Sequence, residues 1–157
     1  MLEPKDIKQG NLGDCYFLSA LAAIVEEYPE LVYRLFVLEK NPAHIYGVRL
    51  FIDGIWKTII LDACFPIYHN RTFCGAQPHH KEIWVMLLEK AWAKCFKSYD
   101  NIHSGFNEEG LIAVSGAPTI IVSSRENNFI KSVEVHMNKG AIVTCATSRE
   151  VHQLTES

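Results

Sequence analysis

Apolar positions along the chain recur with helical spacing in some stretches and with strand character in others, and each stretch marks an element. The run Cys15-Tyr-Phe-Leu-Ser-Ala-Leu-Ala-Ala-Ile24 places Leu18, Leu21, Ala22 and Val25 on one helical face. It places Phe17, Ala20, Leu21 and Ile24 on the next. A helix apolar nearly all round is buried, so the pattern predicts a central helix from about Cys15 to Glu27. Pro29 ends it, because proline cannot continue the hydrogen-bond ladder. Leu31, Leu35 and Leu38 then predict a short second helix over Glu30 to Leu38.

The period changes after the turn at Asn41-Pro42. Ile45 to Ile52 and Ile55 to Leu61 are rich in β-branched and aromatic residues, and Asp53-Gly54 lies between them. That dipeptide is a strong two-residue turn signal, so the region reads as a β-hairpin. Residues 67–80 follow as a polar loop holding His69, Cys74, His79 and His80, read as solvated. Helical spacing returns at Trp84, Leu87, Leu88, Ala91 and Cys95, with Glu89, Lys90 and Lys94 on the wetter side.

The remaining third is less regular. Asn107 is placed to cap a helix through Val114, with Glu108 and Glu109 in its first turn. Ser115-Gly116-Ala117-Pro118 breaks the chain. Thr119 to Ser123 reads as a strand. Asn128 to Asn138 reads as a helix with Phe129, Val133 and Met137 on one face, stopped by Gly140. Ala141 to Thr147 reads as a buried strand, and the last ten residues are polar.

Composition narrows the function classes. The chain has 157 residues, 48% of them hydrophobic, which suffices for a folded core. A net charge of −3 leaves no basic surplus for nucleic acid or an anionic membrane. The longest uncharged stretch, Leu111 to Ser124, contains Gly116 and Pro118 and is shorter than the ~20 residues of a membrane span. No signal peptide is visible in the polar start Leu2-Glu-Pro-Lys-Asp6. Five cysteines with no CxxC pair point to a reduced, intracellular and cytoplasmic protein. Cys74 with His79-His80 lacks the spaced partner pair of a zinc site.

Cys15 is the residue with candidate chemistry. The first N–H groups of a helix lack internal partners and carry partial positive charge. Both favour a thiolate, which is the nucleophilic form. Gly10 and Gly13 allow the loop before it to approach a substrate backbone. Gln9 can donate its amide to a developing oxyanion together with the Cys15 N–H. Asp14 sits where a helix N-cap belongs. Weighed against this, a single cysteine in an apolar run commonly acts as a small core residue.

Gln9-Gly-x-x-Gly13-Asp14-Cys15-aromatic-Phe-Leu-Ser-Ala closely resembles the active-site segment of the calpain family of cysteine proteases. That family usually carries Trp where this chain has Tyr16. A second stretch, Glu82-x-Trp84-x-x-Leu-Leu-Glu-Lys-Ala-Trp92-Ala-Lys94, resembles the same family in the expected order. So do Ser98-Tyr99, Ser104-Gly105 and Glu108/Glu109. Where the family closes its strand with paired aspartates and a proline, this chain reads Asp62-Ala-Cys-Phe-Pro66 and keeps only the first aspartate.

The resemblance implies an α+β, papain-like cysteine protease fold, with a central buried helix and a β-hairpin. Residues 1–116 form the first protease subdomain, bearing Cys15. Residues 117–157 begin a β-rich second subdomain that is incomplete. It implies calcium-dependent intracellular endopeptidase activity on protein or peptide substrates, by a Cys-His-Asn mechanism, with Cys15 catalytic and Gln9 in the oxyanion hole. It also implies a calcium ion tethering Asp6 to Glu82, the other ligands being backbone groups near or before Met1. The family's histidine and asparagine segments, Gly-His and Asn-Pro-Trp, are absent from the chain. Of seven histidines, His136 and His152 come nearest by order, and neither context matches. On this reading the remainder of the protease domain is missing and the chain alone is inactive. The alternative is a catalytically incomplete module that binds proteins through the same cleft.

Overall fold

The computed structural model describes residues 2–38, 42–68, 72–79 and 82–146. Helix α1, Cys15–Glu27, lies at the centre with Phe17, Ala20, Leu21 and Ile24 fully buried. Its all-round apolar character therefore has the expected consequence. Pro29 does more than end α1. It opens a short helix α2, Pro29–Tyr33, at the first turn, where its missing N–H costs nothing.

The expected helix over Glu30 to Leu38 stops at Tyr33, and Phe36–Leu38 forms strand β1 instead. Leu31 and Leu35 do face the core, but Leu38 is 41% exposed. The chain leaves the helix because residues 36–38 find backbone partners on strand β2, Ile45–Ile52. The hairpin forms as predicted. β2 pairs antiparallel with β3, Ile55–Asp62, in continuous register from Ile45 opposite Asp62 to Ile52 opposite Ile55. Asp53 and Gly54 both take positive φ, 54° and 79°, as a tight hairpin turn requires. The sheet order is β1-β2-β3.

One face of this sheet is covered. Val48 and Leu50 of β2, with Ile59 and Leu61 of β3, are buried beneath helix α3, Trp84–Cys95. Helix α4, Asn107–Ser115, crosses α1 at Gly110, where a Cβ would press on Ala20 and Phe17. Its N-cap is Phe106 rather than Asn107, and the Phe106 N–H donates to Glu109 at 3.0 Å. Gly116 ends it in the left-handed region, φ 67°.

Beyond Gly116 the expectations fare unevenly. Helix α5, Phe129–Met137, forms, but none of its residues is buried. Thr119 to Ser123 is not a strand, nor are residues 141–146. Cys145 and Val143 are exposed rather than interior. A strand needs a partner for its backbone groups, and among the described residues neither segment has one. Ile142 alone packs on the core, and the Tyr28 hydroxyl donates to the Gly140 carbonyl at 3.0 Å. Thr147, the end of the expected strand, lies outside the described residues, as do His69, His80 and His152.

Candidate active site

Cys15 is the first residue of α1, and it is exposed while the next three residues are buried. The helix behind it is fixed by aromatic contacts. Phe17 stacks on Trp92 of α3, ring centroids 4.9 Å apart and 5° from parallel. Trp92 Nε1 donates to the Tyr16 hydroxyl at 3.0 Å. A tyrosine after the cysteine thus spans from α1 to α3 by its hydroxyl. Gly105 lies against the Tyr16 ring so closely that a Cβ there would stand 2.5 Å from it.

The loop before Cys15 is held at several points. The Gln77 N–H donates to the Lys8 carbonyl at 2.8 Å. Gly10 packs so tightly on Gly75 that a Cβ would overlap the Gly75 carbonyl oxygen. The Gly13 N–H donates to His103 Nδ1 at 2.9 Å, and a Cβ on Gly13 would overlap the His103 carbonyl. His103 thus meets the loop before Cys15 with an accepting ring nitrogen. Sequence order offered no hint of this, since the two residues are 90 positions apart. Gln9 is exposed, and its amide Nε2 donates to Leu12 O at 2.9 Å, within its own loop. An oxyanion would have to compete for that donor.

Asp14 is the N-cap by position but not by contact. Its carbonyl accepts from Phe17 and Leu18 N–H, yet its side chain caps nothing. The carboxyl turns inward, is fully buried, and neither oxygen finds a donor. It meets Glu89 of α3. Glu89, assigned by periodicity to the wet side, is only 2% exposed. The third side of α3 is roofed by the loop at residues 73–77, which helical spacing cannot reveal. The Ala76 N–H donates to both Glu89 oxygens, at 2.8 and 3.0 Å, and a side chain at Gly75 would overlap this carboxyl.

Burial raises Asp14 above the usual carboxylate range. Glu89 is pushed up to about 9, first by burial and then by Asp14 beside it. At hydrogen-bond separation two like charges repel by roughly 5 kcal/mol even at an effective dielectric of ~20. Tyr99 stands nearby with its hydroxyl buried and unpartnered, and burial pushes its phenol up as well.

The expected calcium ligands are placed differently. Asp6 is buried at 6% exposure, while Glu82 is exposed. Asp6 Oδ1 lies 3.0 Å from His79 Nδ1, and Oδ2 accepts from the Glu3 N–H at 3.0 Å and from Trp84 Nε1 at 3.3 Å. Burial raises Asp6, but its hydrogen bonds, that with His79 foremost, bring it below the usual range. His79, expected to be solvated, is thereby the partner of a buried carboxylate. The groups around Asp6 are donors, whereas calcium requires oxygen acceptors. No three acidic, histidine or cysteine side chains among the described residues converge on a metal position. This donor set does not fit calcium.

His136 lies on α5, whose residues are all at least partly exposed, and no contact links it to Cys15. Of the two histidines that order suggested, His136 makes no contact with the loop before Cys15, and His152 lies outside the described residues.

Known proteins share these segments. The model of the calpain family of cysteine proteases matches residues 1–157. Calpain-13 of Rattus norvegicus is 29% identical over 96% of this chain and 23% of its own length. Calpain clp-4 of Caenorhabditis elegans is 29% identical over 94% of this chain and 21% of its own. The calpain-type cysteine protease DEK1 of Arabidopsis thaliana is 33% identical over 72% of this chain and 5% of its own. The chain thus spans less than a quarter of the length of these relatives. With a match along its whole length, and with the motifs around Cys15 and Trp84 packed against each other, the chain belongs to the calpain family of cysteine proteases.

Proposed function

We propose that this chain supplies the nucleophile half of a calpain-type cysteine endopeptidase site. The observation that carries the reading is Cys15, exposed at the first turn of a helix whose next three residues, Tyr16, Phe17 and Leu18, are buried. In this scheme the Cys15 thiolate attacks a peptide carbonyl. The Cys15 N–H and the Gln9 amide, released from Leu12, hold the oxyanion. Acyl transfer to water then returns the thiol. The base that accepts the thiol proton and the residue that orients it would come from polypeptide outside these 157 residues. Substrates are proteins or peptides, and the compartment is the reducing cytoplasm.

Casein turnover tests this scheme. The chain joined to its downstream coding sequence is expected to cleave casein, and Cys15→Ala to abolish cleavage. The 157-residue chain alone is expected to be slower by about 10²–10⁴-fold, the usual cost of losing a general base. Equal rates for Cys15→Ala and the parent would refute the scheme. The second reading, a module that binds proteins without cleaving them, draws on the absence of Gly-His and Asn-Pro-Trp segments from the chain. It is favoured if the joined protein binds casein and leaves it intact. Calcium is no part of the scheme, given the donors around Asp6. Calorimetry with Ca²⁺ on the parent and on Glu82→Ala tests it, and a heat present only in the parent would restore it.

A further inference from the structure

We propose that Asp14 and Glu89 share a single proton and act as one acid–carboxylate pair that positions the loop bearing Cys15. The positioning role rests on the function proposed above; the shared proton does not.

Both side chains are buried, Asp14 completely and Glu89 to 2% exposure. Neither Asp14 oxygen has a hydrogen-bond donor among the described residues. Glu89 accepts the Ala76 N–H on both oxygens and presents its carboxyl to Asp14. Two buried carboxylates in contact cannot both be ionised, whereas one proton between them turns repulsion into a hydrogen bond and satisfies Asp14. Among the described residues no lysine or arginine neutralises the pair. Lys90, the adjacent cation on α3, is committed to Asp62 and the carbonyl of Cys64. The other titratable groups facing the pair are Tyr99 and Tyr16, both held protonated by burial, Cys74 beside Tyr99, and His103 beside Asp14.

The pair lies at a junction. Glu89 holds Ala76 and packs against Gly75, and Gly75 packs against Gly10. Asp14 is joined directly to Cys15. One proton thus closes a ring running from the nucleophile, through α3 and the 73–77 loop, back to the loop at Gly10. Ionising Glu89 would put two charges at that closure and loosen the ring next to Cys15.

The sign follows from linkage. In the unfolded chain both carboxyls have lost their protons well below pH 6. The folded chain keeps one up to about pH 9. Stability from this proton is therefore fully present below the ordinary carboxylate range and is lost as pH rises through about 9. Between pH 6 and 8 a one-proton difference raises the unfolding constant about tenfold per pH unit.

Urea unfolding of the chain from pH 6 to 8, on the parent and on Glu89→Gln, reads this difference. The glutamine amide cannot ionise, and it can still donate to Asp14 and accept from Ala76. The parent is expected to be steeper than the variant by about tenfold in the unfolding constant per pH unit. Parallel curves would overturn the proposal. Infrared spectra of the parent give an answer even if the variant does not fold. A protonated-carboxyl stretch present at pH 7 and lost above pH 10 is expected, and its absence at pH 7 would overturn the shared proton. The positioning role is read by mapping alkylated peptides. The rate at Cys15 relative to exposed Cys64 should change above pH 9 in the parent and stay constant in Glu89→Gln. A ratio independent of pH in the parent would overturn that role. None of these readouts requires peptidase activity.

Discussion

At the scale of single residues, contact with a neighbouring loop decides where a side chain goes. Asp14 has the identity and position of an N-cap, and its carboxyl instead turns inward to Glu89. His79 has the look of a loop histidine and instead pairs with Asp6 at 3.0 Å. Glycine carries the same logic at Gly10, because any side chain there would occupy the Gly75 carbonyl. Gly10→Ala is therefore expected to cost about 1–3 kcal/mol through overpacking against backbone. Urea unfolding checks this, and a change below about 0.5 kcal/mol would mean that the two loops are not pressed together.

At the scale of elements, patterns that depend on the chain alone were legible. Helix α1 was readable from Cys15 to Glu27 because its apolar residues recur at helical spacing, and Phe17, Ala20, Leu21 and Ile24 are fully buried. The hairpin was readable because Asp53-Gly54 sets its register locally. Where a distant partner decides, the pattern misled. The leucines at 31, 35 and 38 fit a helix, yet residues 36–38 pair with β2. Glu89 fits a wet helical face, yet a loop thirteen residues earlier covers it. In the candidate site the place of Cys15 at the start of α1 was legible because the adjacent apolar run sets the helix, while the His103 contact with Gly13 was not, since it spans 90 residues. The energetic weight of α1 is open to measurement. Leu21 has no exposed surface, so Leu21→Ala is expected to destabilise by about 2–5 kcal/mol. A loss below about 1 kcal/mol would show that the α1 site collapses around the deletion or is not core.

At the scale of the molecule, burial is uneven. Helices α1, α3 and α4 and the sheet enclose one core, and Val114 is the last residue along the chain to be fully enclosed in it. Residues 117–146 add little, and Ile120, Ile121, Ile130 and Met137 are 63%, 76%, 66% and 57% exposed. Such side chains contribute little to folding of this chain, so Ile130→Lys is expected to change stability by less than about 0.5 kcal/mol. Thermal unfolding checks it, and a loss of 2 kcal/mol or more would place α5 in the core. Cys15, by contrast, opens a helix of the enclosed part, and its loop is fixed by that core through Tyr16, Gly10 and Asp14.

The central claim is that this frame presents Cys15 as a reactive nucleophile. Timed reaction with a thiol-directed epoxide, with each labelled peptide quantified, tests it most directly, because Cys64 and Cys145 are also exposed and serve as controls in the same tube. Cys15 is expected to be labelled roughly tenfold or more faster than either. Labelling of Cys15 no faster than Cys64 and Cys145 would contradict it.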